Sequence, residues 1–326
     1  INKSRSRSRT LKLGVLEMFY FNSPEILNAI KTLGQSLDVV VVSQDNGAAD
    51  WFDSESSVEH FDIGITEQNL IGIAAGIAHT GKTVIVLSMA PFVSMRAFEQ
   101  IRDDCAYNRK NVKIIAMFTG LEAGYWGVTH HGIEDIALMR TIPGMTVIVP
   151  ADSNEVYQAI IASGSAEGPC YLRIAGFAAD MSPLANNNKP FVIGKSALLH
   201  EGNSMTLIAT GTMVRTALAV HDAMAAEGIQ LRVLNMHTIK PIDQEVVTQA
   251  AQETELIVTL EEHFVIGGLG GAVAEIVAEL GVGRVVRLGI PDRFVTEVGP
   301  YEELLGNCGL DAISVISTIK NLLKGG

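Results

Sequence analysis

Cysteine is scarce in this chain, and so is charge. Cys105, Cys170 and Cys308 are the three cysteines in 326 residues, odd in number and far apart. They make neither a disulfide framework nor a metal motif, which fits a reducing, intracellular compartment. No apolar run reaches bilayer-spanning length and no secretory signal is read at the start, so the expectation is a cytoplasmic protein that does not engage membranes. Charged residues make up 18% of the chain against 48% hydrophobic ones, which excludes a disordered chain held open by its own charge. The formal net charge is −12, and the first ten residues hold Lys3, Arg5, Arg7 and Arg9, so the rest of the chain stands at −16. So acidic a body excludes nucleic-acid binding as its main task. The Arg-Ser alternation over residues 4–9 reads as a short solvated tail.

What the chain does have is alternation. Short apolar runs at 39–45, 83–89, 112–118, 146–150 and 169–175 are interleaved with helical stretches at 24–35, 66–81, 91–105, 134–140 and 153–166. Residues 50–59 are polar, Asn46-Gly47 marks a turn, and 119–132 are Gly- and aromatic-rich; all read as loop. After 178–190, which holds Pro183, an Asn triplet and Pro190, the pattern returns. Strands fall at 205–210, 231–236, 256–260 and 284–288, with helices at 214–227, 241–252 and 269–280. This predicts an α/β protein with two doubly wound, mostly parallel sheets. Its expected division is a basic tail (1–10), a first domain (11–177), a linker (178–190) and a second domain (191–326). Ligands of such sheets bind at the carboxyl ends of the strands, where segments 44–49, 89–95 and 120–131 fall.

The organising stretch runs from Phe61 to Gly76. An extended piece leads into a helix starting near Thr66, which Thr66 can cap, and Glu67 in the first turn suits the helix dipole. From Leu70 the helix is apolar almost all round, which predicts burial. Gly72 and Gly76, four apart, leave one face bare for another element to approach, and Gly81 ends the helix. Acidic first-turn residues are common for dipole reasons alone, yet a carboxylate at the mouth of a buried helix can have its proton affinity tuned. Phe92, with Met89 and Met95, follows a strand. His130 and His131 lie in an irregular loop. The glycine run from Ile266 to Ala272 fails as a dinucleotide loop, because Val273 stands where the third small residue belongs. It reads instead as close packing of a helix start.

Gly64-Ile65-Thr66-Glu67-Gln68-Asn69, followed by Ile73-Ala74-Ala75-Gly76, resembles the pyrimidine-binding domain of transketolases and related thiamine-diphosphate enzymes. The likeness extends through Thr129-His130, Glu134 to Arg140, Pro143-Gly144-Met145 and Pro150-Ala151-Asp152. Glu261-Glu262-His263 and the run from Met236 to Asp243 resemble the third domain of transketolases, and the resemblance covers residues 11 to 320. It implies that Glu67 hydrogen-bonds the aminopyrimidine of thiamine diphosphate and that Phe92 stacks on that ring. Met89 and Met95 match positions that are often aromatic, and Asp45, in segment 44–49, joins the cofactor-site candidates. His130 matches the His that meets sugar hydroxyls, and Arg173 an Arg that binds substrate phosphate. Two departures stand out. Where the family commonly has Gly-Glu-Asp-Gly, this chain has Gly124-Tyr125-Trp126-Gly127, and an upstream phosphate-binding His aligns with Phe118. Trp126 and Phe118 are therefore expected to put apolar surface at the substrate, against an ordinary sugar-phosphate pair.

The family holds the diphosphate and its Mg²⁺ with a Gly-Asp-Gly segment and a downstream Asn, oxygen ligands of the kind Mg²⁺ prefers. The sequence has no Gly-Asp-Gly, so no ligand to that metal is assigned here. The resemblance implies the carboxyl-terminal subunit of a split transketolase. An amino-terminal subunit would supply the diphosphate site in an α2β2 heterotetramer that moves a two-carbon ketol unit from a ketose to an aldehyde. Two other readings stay open. One is another thiamine-dependent reaction, as in 2-oxo-acid dehydrogenase β-subunits or decarboxylating carboligases such as deoxyxylulose-phosphate synthase. The other is a non-catalytic partner subunit that kept the fold. The runs at 136–140 and 238–243 favour transketolase.

Overall fold

The computed structural model describes residues 23–45, 52, 58–184 and 190–324. The basic tail, the Asn46-Gly47 turn and residues 185–189 of the expected linker lie outside the described residues.

Two sheets carry the architecture, and both are mainly parallel with helices between the strands. In chain order the strands are β1 (Val39–Ser43), β2 (Glu59–Asp62), β3 (Thr83–Met89), β4 (Val112–Met117), β5 (Thr146–Ile148), β6 (Cys170–Arg173), β7 (Ala197–His200), β8 (Met205–Ala209), β9 (Leu231–Asn235), β10 (Thr238–Lys240), β11 (Leu256–Phe264) and β12 (Arg284–Ile290). The first sheet has the order β10-β5-β6-β4-β3-β1-β2 and the second β12-β11-β8-β9-β7. β1 is Val-Val-Val-Val-Ser and buried throughout, because both its faces are covered and β-branched side chains suit a strand. β2, at the edge, is Glu-His-Phe-Asp and mostly exposed, so it shows no apolar run to read from sequence.

Local chemistry sets the helix starts. Ser23 accepts from the Ile26 amide ahead of α1 (Pro24–Leu33), with Pro at the first position. Asp152 accepts from the Glu155 amide at 2.8 Å before the helix Ser153–Ser165, while the Glu155 carboxylate accepts from Ala151 N at 2.8 Å. The expected helix over 91–105 is interrupted. It breaks at Ala97 into Ala90–Arg96 and Phe98–Gln100, then widens into a π-helical stretch, Ile101–Tyr107. The helix expected over 241–252 starts later, at Gln244, because Thr238–Lys240 pairs antiparallel with β5. A strand from beyond the expected linker thus completes the first sheet. The helices Tyr301–Asn307 and Ala312–Lys324 close the chain.

A buried polar layer joins the two halves. Glu262 accepts from Leu121 N at 2.6 Å, from the Thr212 hydroxyl at 2.7 Å and from the Tyr301 hydroxyl at 2.8 Å. Gly120 sits at φ +60, and a Cβ there would lie 2.0 Å from Glu262 Oε1. Glu261 accepts from Leu269 N and Gly270 N at the start of the helix Leu269–Leu280. The glycine-rich helix start therefore closes on an internal carboxylate, where a dinucleotide loop would present its amides to phosphate. Burial pushes the carboxyls of Glu122, Glu261 and Glu262 up from their usual range. Among the described residues no helix is long and apolar enough to cross a membrane, and the three cysteines are free and buried.

Candidate functional site

Glu67 opens the helix Glu67–Ala78, designated α2, after a turn in which Gly64 has φ +74. It is only 5% exposed, yet it sits at the rim of an open depression of about 520 Å³ lined by Ile65, Thr66, Glu67, Gln68, Asn69 and Arg96. Thr66 precedes the helix but does not cap it; its hydroxyl donates back towards the carbonyls of Ile63 and Gly64. The inner face of α2 is buried through Leu70, Ile71, Ala74, Ala75 and Ala78. The bare face behaves differently from the expectation. A Cβ at Gly76 would meet nothing within 4 Å, and at Gly72 only Asp104 Oδ2 at 4.0 Å, so among the described residues no element packs closely there.

The short helix Ala90–Arg96, α3, follows β3 and carries Phe92 and Arg96 one turn apart. Arg96 Nη1 donates to Glu67 Oε1 at 3.1 Å, and the guanidinium carbon lies 4.2 Å over the Phe92 ring. Sequence reasoning missed Arg96, although its i+4 spacing from Phe92 on a helix start was a usable signal. Met89 is the last residue of β3 and partly buried against the core, whereas Met95 is 46% exposed. Asp45 has φ 44, and its amide donates to both carboxylate oxygens of Asp62, which also accepts from Gly64 N. That turn holds the approach to α2 in shape.

His130 meets Phe92 edge-on at 5.1 Å and Trp126 at 5.1 Å, with Nδ1 2.9 Å from the Thr129 hydroxyl. Burial, and then Arg96, lowers its pKa, which keeps the ring neutral near pH 7. His131 beside it is 1% exposed, and neither ring nitrogen has a hydrogen-bond partner among the described residues. Trp126 stands at the end of the 3₁₀ turn Gly124–Trp126 and packs with Phe118 at 5.7 Å and Phe177 at 5.8 Å. Phe177 carries no motif or periodicity that would single it out beforehand. Phe92, His130 and Trp126 thus form one continuous aromatic run beside Glu67.

Two expected substrate residues are placed differently. Phe118 is 4% exposed in the left-handed region (φ 55), so it backs Trp126 from the core instead of lining the depression. Arg173 is 3% exposed; its Nε donates to Asp135, and its Nη2 donates to the carbonyls of Gly132 and Glu262. A guanidinium so enclosed ties the polar layer together through one carboxylate and two carbonyls. A larger cleft of about 710 Å³, lined in part by Arg102, Tyr107, Pro143 and Gly168, opens at the amino ends of β5 and β6. That is the end of the sheet away from where such folds bind ligands.

Known proteins share both halves of the chain. Residues 26–175 match the model of the transketolase pyrimidine binding domain, and residues 194–315 that of the transketolase C-terminal domain. The chain is 38% identical over 293 residues to a subunit of the apulose-4-phosphate transketolase of Phocaeicola vulgatus, spanning 89% of this chain and 93% of that one. It is 40% identical over 255 residues to a subunit of the 6-deoxy-6-sulfo-D-fructose transketolase of Clostridium sp. (strain MSTE9), spanning 78% of each. A solved structure described as a split gene transketolase, inactive beta4 tetramer, aligns with TM-score 0.82 at 36% identity and covers 92% of this chain and 97% of that one.

Proposed function

We propose, from the premise that this chain belongs to the transketolase family, that it is the carboxyl-terminal subunit of a split transketolase working on a non-standard sugar. The observation that carries the site assignment is the pairing of Glu67 with Phe92. A flat group with N–H donors already lies over Phe92 and on Glu67, namely the guanidinium of Arg96. The two residues are therefore spaced for a planar nitrogen heterocycle, and they fit the aminopyrimidine of thiamine diphosphate. When bound, that cofactor supplies the nucleophilic carbon and the electron sink for moving a two-carbon ketol unit. Glu67 holds a proton against a ring nitrogen, and Phe92 fixes the ring plane. His130, neutral and hinged between two aromatic rings, accepts from or donates to substrate hydroxyls. Met89, Met95 and Asp45 shape the cofactor side, and Trp126 forms the substrate wall with Phe118 behind it.

The diphosphate and Mg²⁺ fall to an amino-terminal subunit, since this sequence has no Gly-Asp-Gly segment. The exposed Gln68, Asn69 and Gly76, with Gly72, leave one face of α2 unpacked among the described residues, and together with the exposed Ile65 just before the helix they support a second chain docking beside Glu67. An α2β2 assembly follows the family's pairing of active sites across chains. Free, buried cysteines support a cytoplasmic location.

The relatives named for apulose 4-phosphate and sulfofructose support a substrate outside the common pentose and hexose phosphates. An indole offers a single donor and cannot pair with a cation, so Trp126 suits a less polar or modified sugar. The test is steady-state kinetics of the two-chain complex with xylulose 5-phosphate and ribose 5-phosphate against a panel of branched, sulfonated and unphosphorylated sugars. A panel member should be preferred. Efficiency on the ordinary pair of about 10⁴ M⁻¹s⁻¹ or more, above every panel member, would overturn the proposal.

A further inference from the structure

We infer that the carboxyl-terminal domain carries a transition-metal site built from His200, His221 and Asp222. His200 ends β7, the antiparallel edge strand of the second sheet, where the ladder shifts register between Leu198 and His200. His221 and Asp222 lie on the helix Met213–Ala225, which packs over that sheet. The two imidazoles stack with centroids 3.9 Å apart and planes 24° from parallel. One ligand atom from each of the three residues lies within 4.8 Å of the others. Asp222 is exposed, so a rotamer change can close the remaining gap.

The orientation of His221 argues for a ligand role. Its Nδ1 lies 3.1 Å from the carbonyl oxygen of Leu231, the first residue of β9, and must donate to it. The lone pair is therefore on Nε2, to which no hydrogen bond is made among the described residues. Ligating histidines are usually held this way, with one nitrogen tied to a backbone carbonyl and the other presented to the metal. Two imidazoles and one carboxylate suit Zn²⁺ or a similar divalent transition ion, with water completing a tetrahedron; Mg²⁺ and Ca²⁺ want more oxygens. These three residues belong to β7 of the second sheet and the helix Met213–Ala225, whereas Glu67 and Phe92 lie on helices between strands of the first sheet, so this site is separate from the cofactor site. A bound ion would pin the first strand of the second domain to the helix above it.

The experiment is calorimetric titration of Zn²⁺ into the full chain after chelator treatment, with Mg²⁺ titrated in parallel and Co²⁺ followed by visible absorption. The expected result is one Zn²⁺ per chain and no comparable Mg²⁺ binding. His200→Gln and Asp222→Asn should each weaken Zn²⁺ by at least about tenfold, the scale for losing one support of a metal site. His221→Gln risks the fold because the ring is buried, so His200→Gln at the half-buried rim carries the test. Equal Zn²⁺ affinity in the wild type and His200→Gln, absence of saturable binding in the wild type, or equal binding of Mg²⁺ would overturn the assignment.

Discussion

Arg96 joins Glu67 to Phe92: one guanidinium donates to the carboxylate at 3.1 Å and lies 4.2 Å over the ring. On the proposed reading these are the two contacts the aminopyrimidine makes, so Arg96 keeps the cofactor's place in the lone chain and swings out on loading. Its side chain is half exposed, which leaves room for that movement. Arg96→Met in the isolated chain is expected to raise the affinity for thiamine about tenfold, the combined scale of an exposed cation–π contact and a screened ion pair. Calorimetry on both proteins checks this. Weaker binding by the variant would instead make Arg96 a ligand of the cofactor.

Gly120→Ala should be among the most damaging conservative changes in the chain. The residue sits at φ +60, and the added methyl would lie 2.0 Å from Glu262 Oε1. Backbone strain costs about 1–2 kcal/mol, and displacing Glu262 from Leu121 N adds about 1–3 kcal/mol. Urea unfolding should show a loss of about 3 kcal/mol. A change under about 1 kcal/mol would mean that the polar layer repacks around the methyl without losing its bonds.

His237 sets part of the acid limit. It stacks on Phe191 at 4.1 Å, and burial lowers its pKa to about 4, with Asp243 opposing. A histidine whose folded pKa is depressed binds fewer protons in the fold than in the unfolded chain. Its contribution is therefore complete above pH ~6.5 and is lost as the pH falls towards 4, by about 3 kcal/mol in all. The raised carboxyls of Glu122, Glu261 and Glu262 run the other way, favouring the fold in acid. The difference between the wild type and His237→Phe, followed by denaturant melts from pH 7 to 4.5, isolates the histidine. The variant should lose less stability across that window, and parallel curves would rule the role out.

The parts of the fold that rest on one-dimensional pattern are legible in the sequence. Apolar β-branched runs mark β1, β3 and β4, and the head of α2 with Glu67 stands out because a polar start precedes an apolar helix. What escapes depends on the third dimension. Phe118 and Arg173 match substrate-facing positions, but a residue at a strand's carboxyl end can turn either to the depression or to the domain contact, and both turn inward. β10 is hidden because three residues pairing with a distant strand carry no periodicity of their own. Arg96 escapes because its role depends on Glu67 and Phe92 together, residues on two different elements.

The most direct test of the central claim is ketol transfer by this chain alone, by the chain reconstituted with its amino-terminal partner, thiamine diphosphate and Mg²⁺, and by the same complex carrying Glu67→Gln. A glutamine keeps the shape but cannot exchange a proton with the pyrimidine, so activity should fall by at least about a hundredfold while circular dichroism is unchanged. The expected pattern is no turnover by the lone chain, turnover by the complex, and that loss in the variant. Turnover by the lone chain, or near-normal turnover by the Glu67→Gln complex, would contradict it.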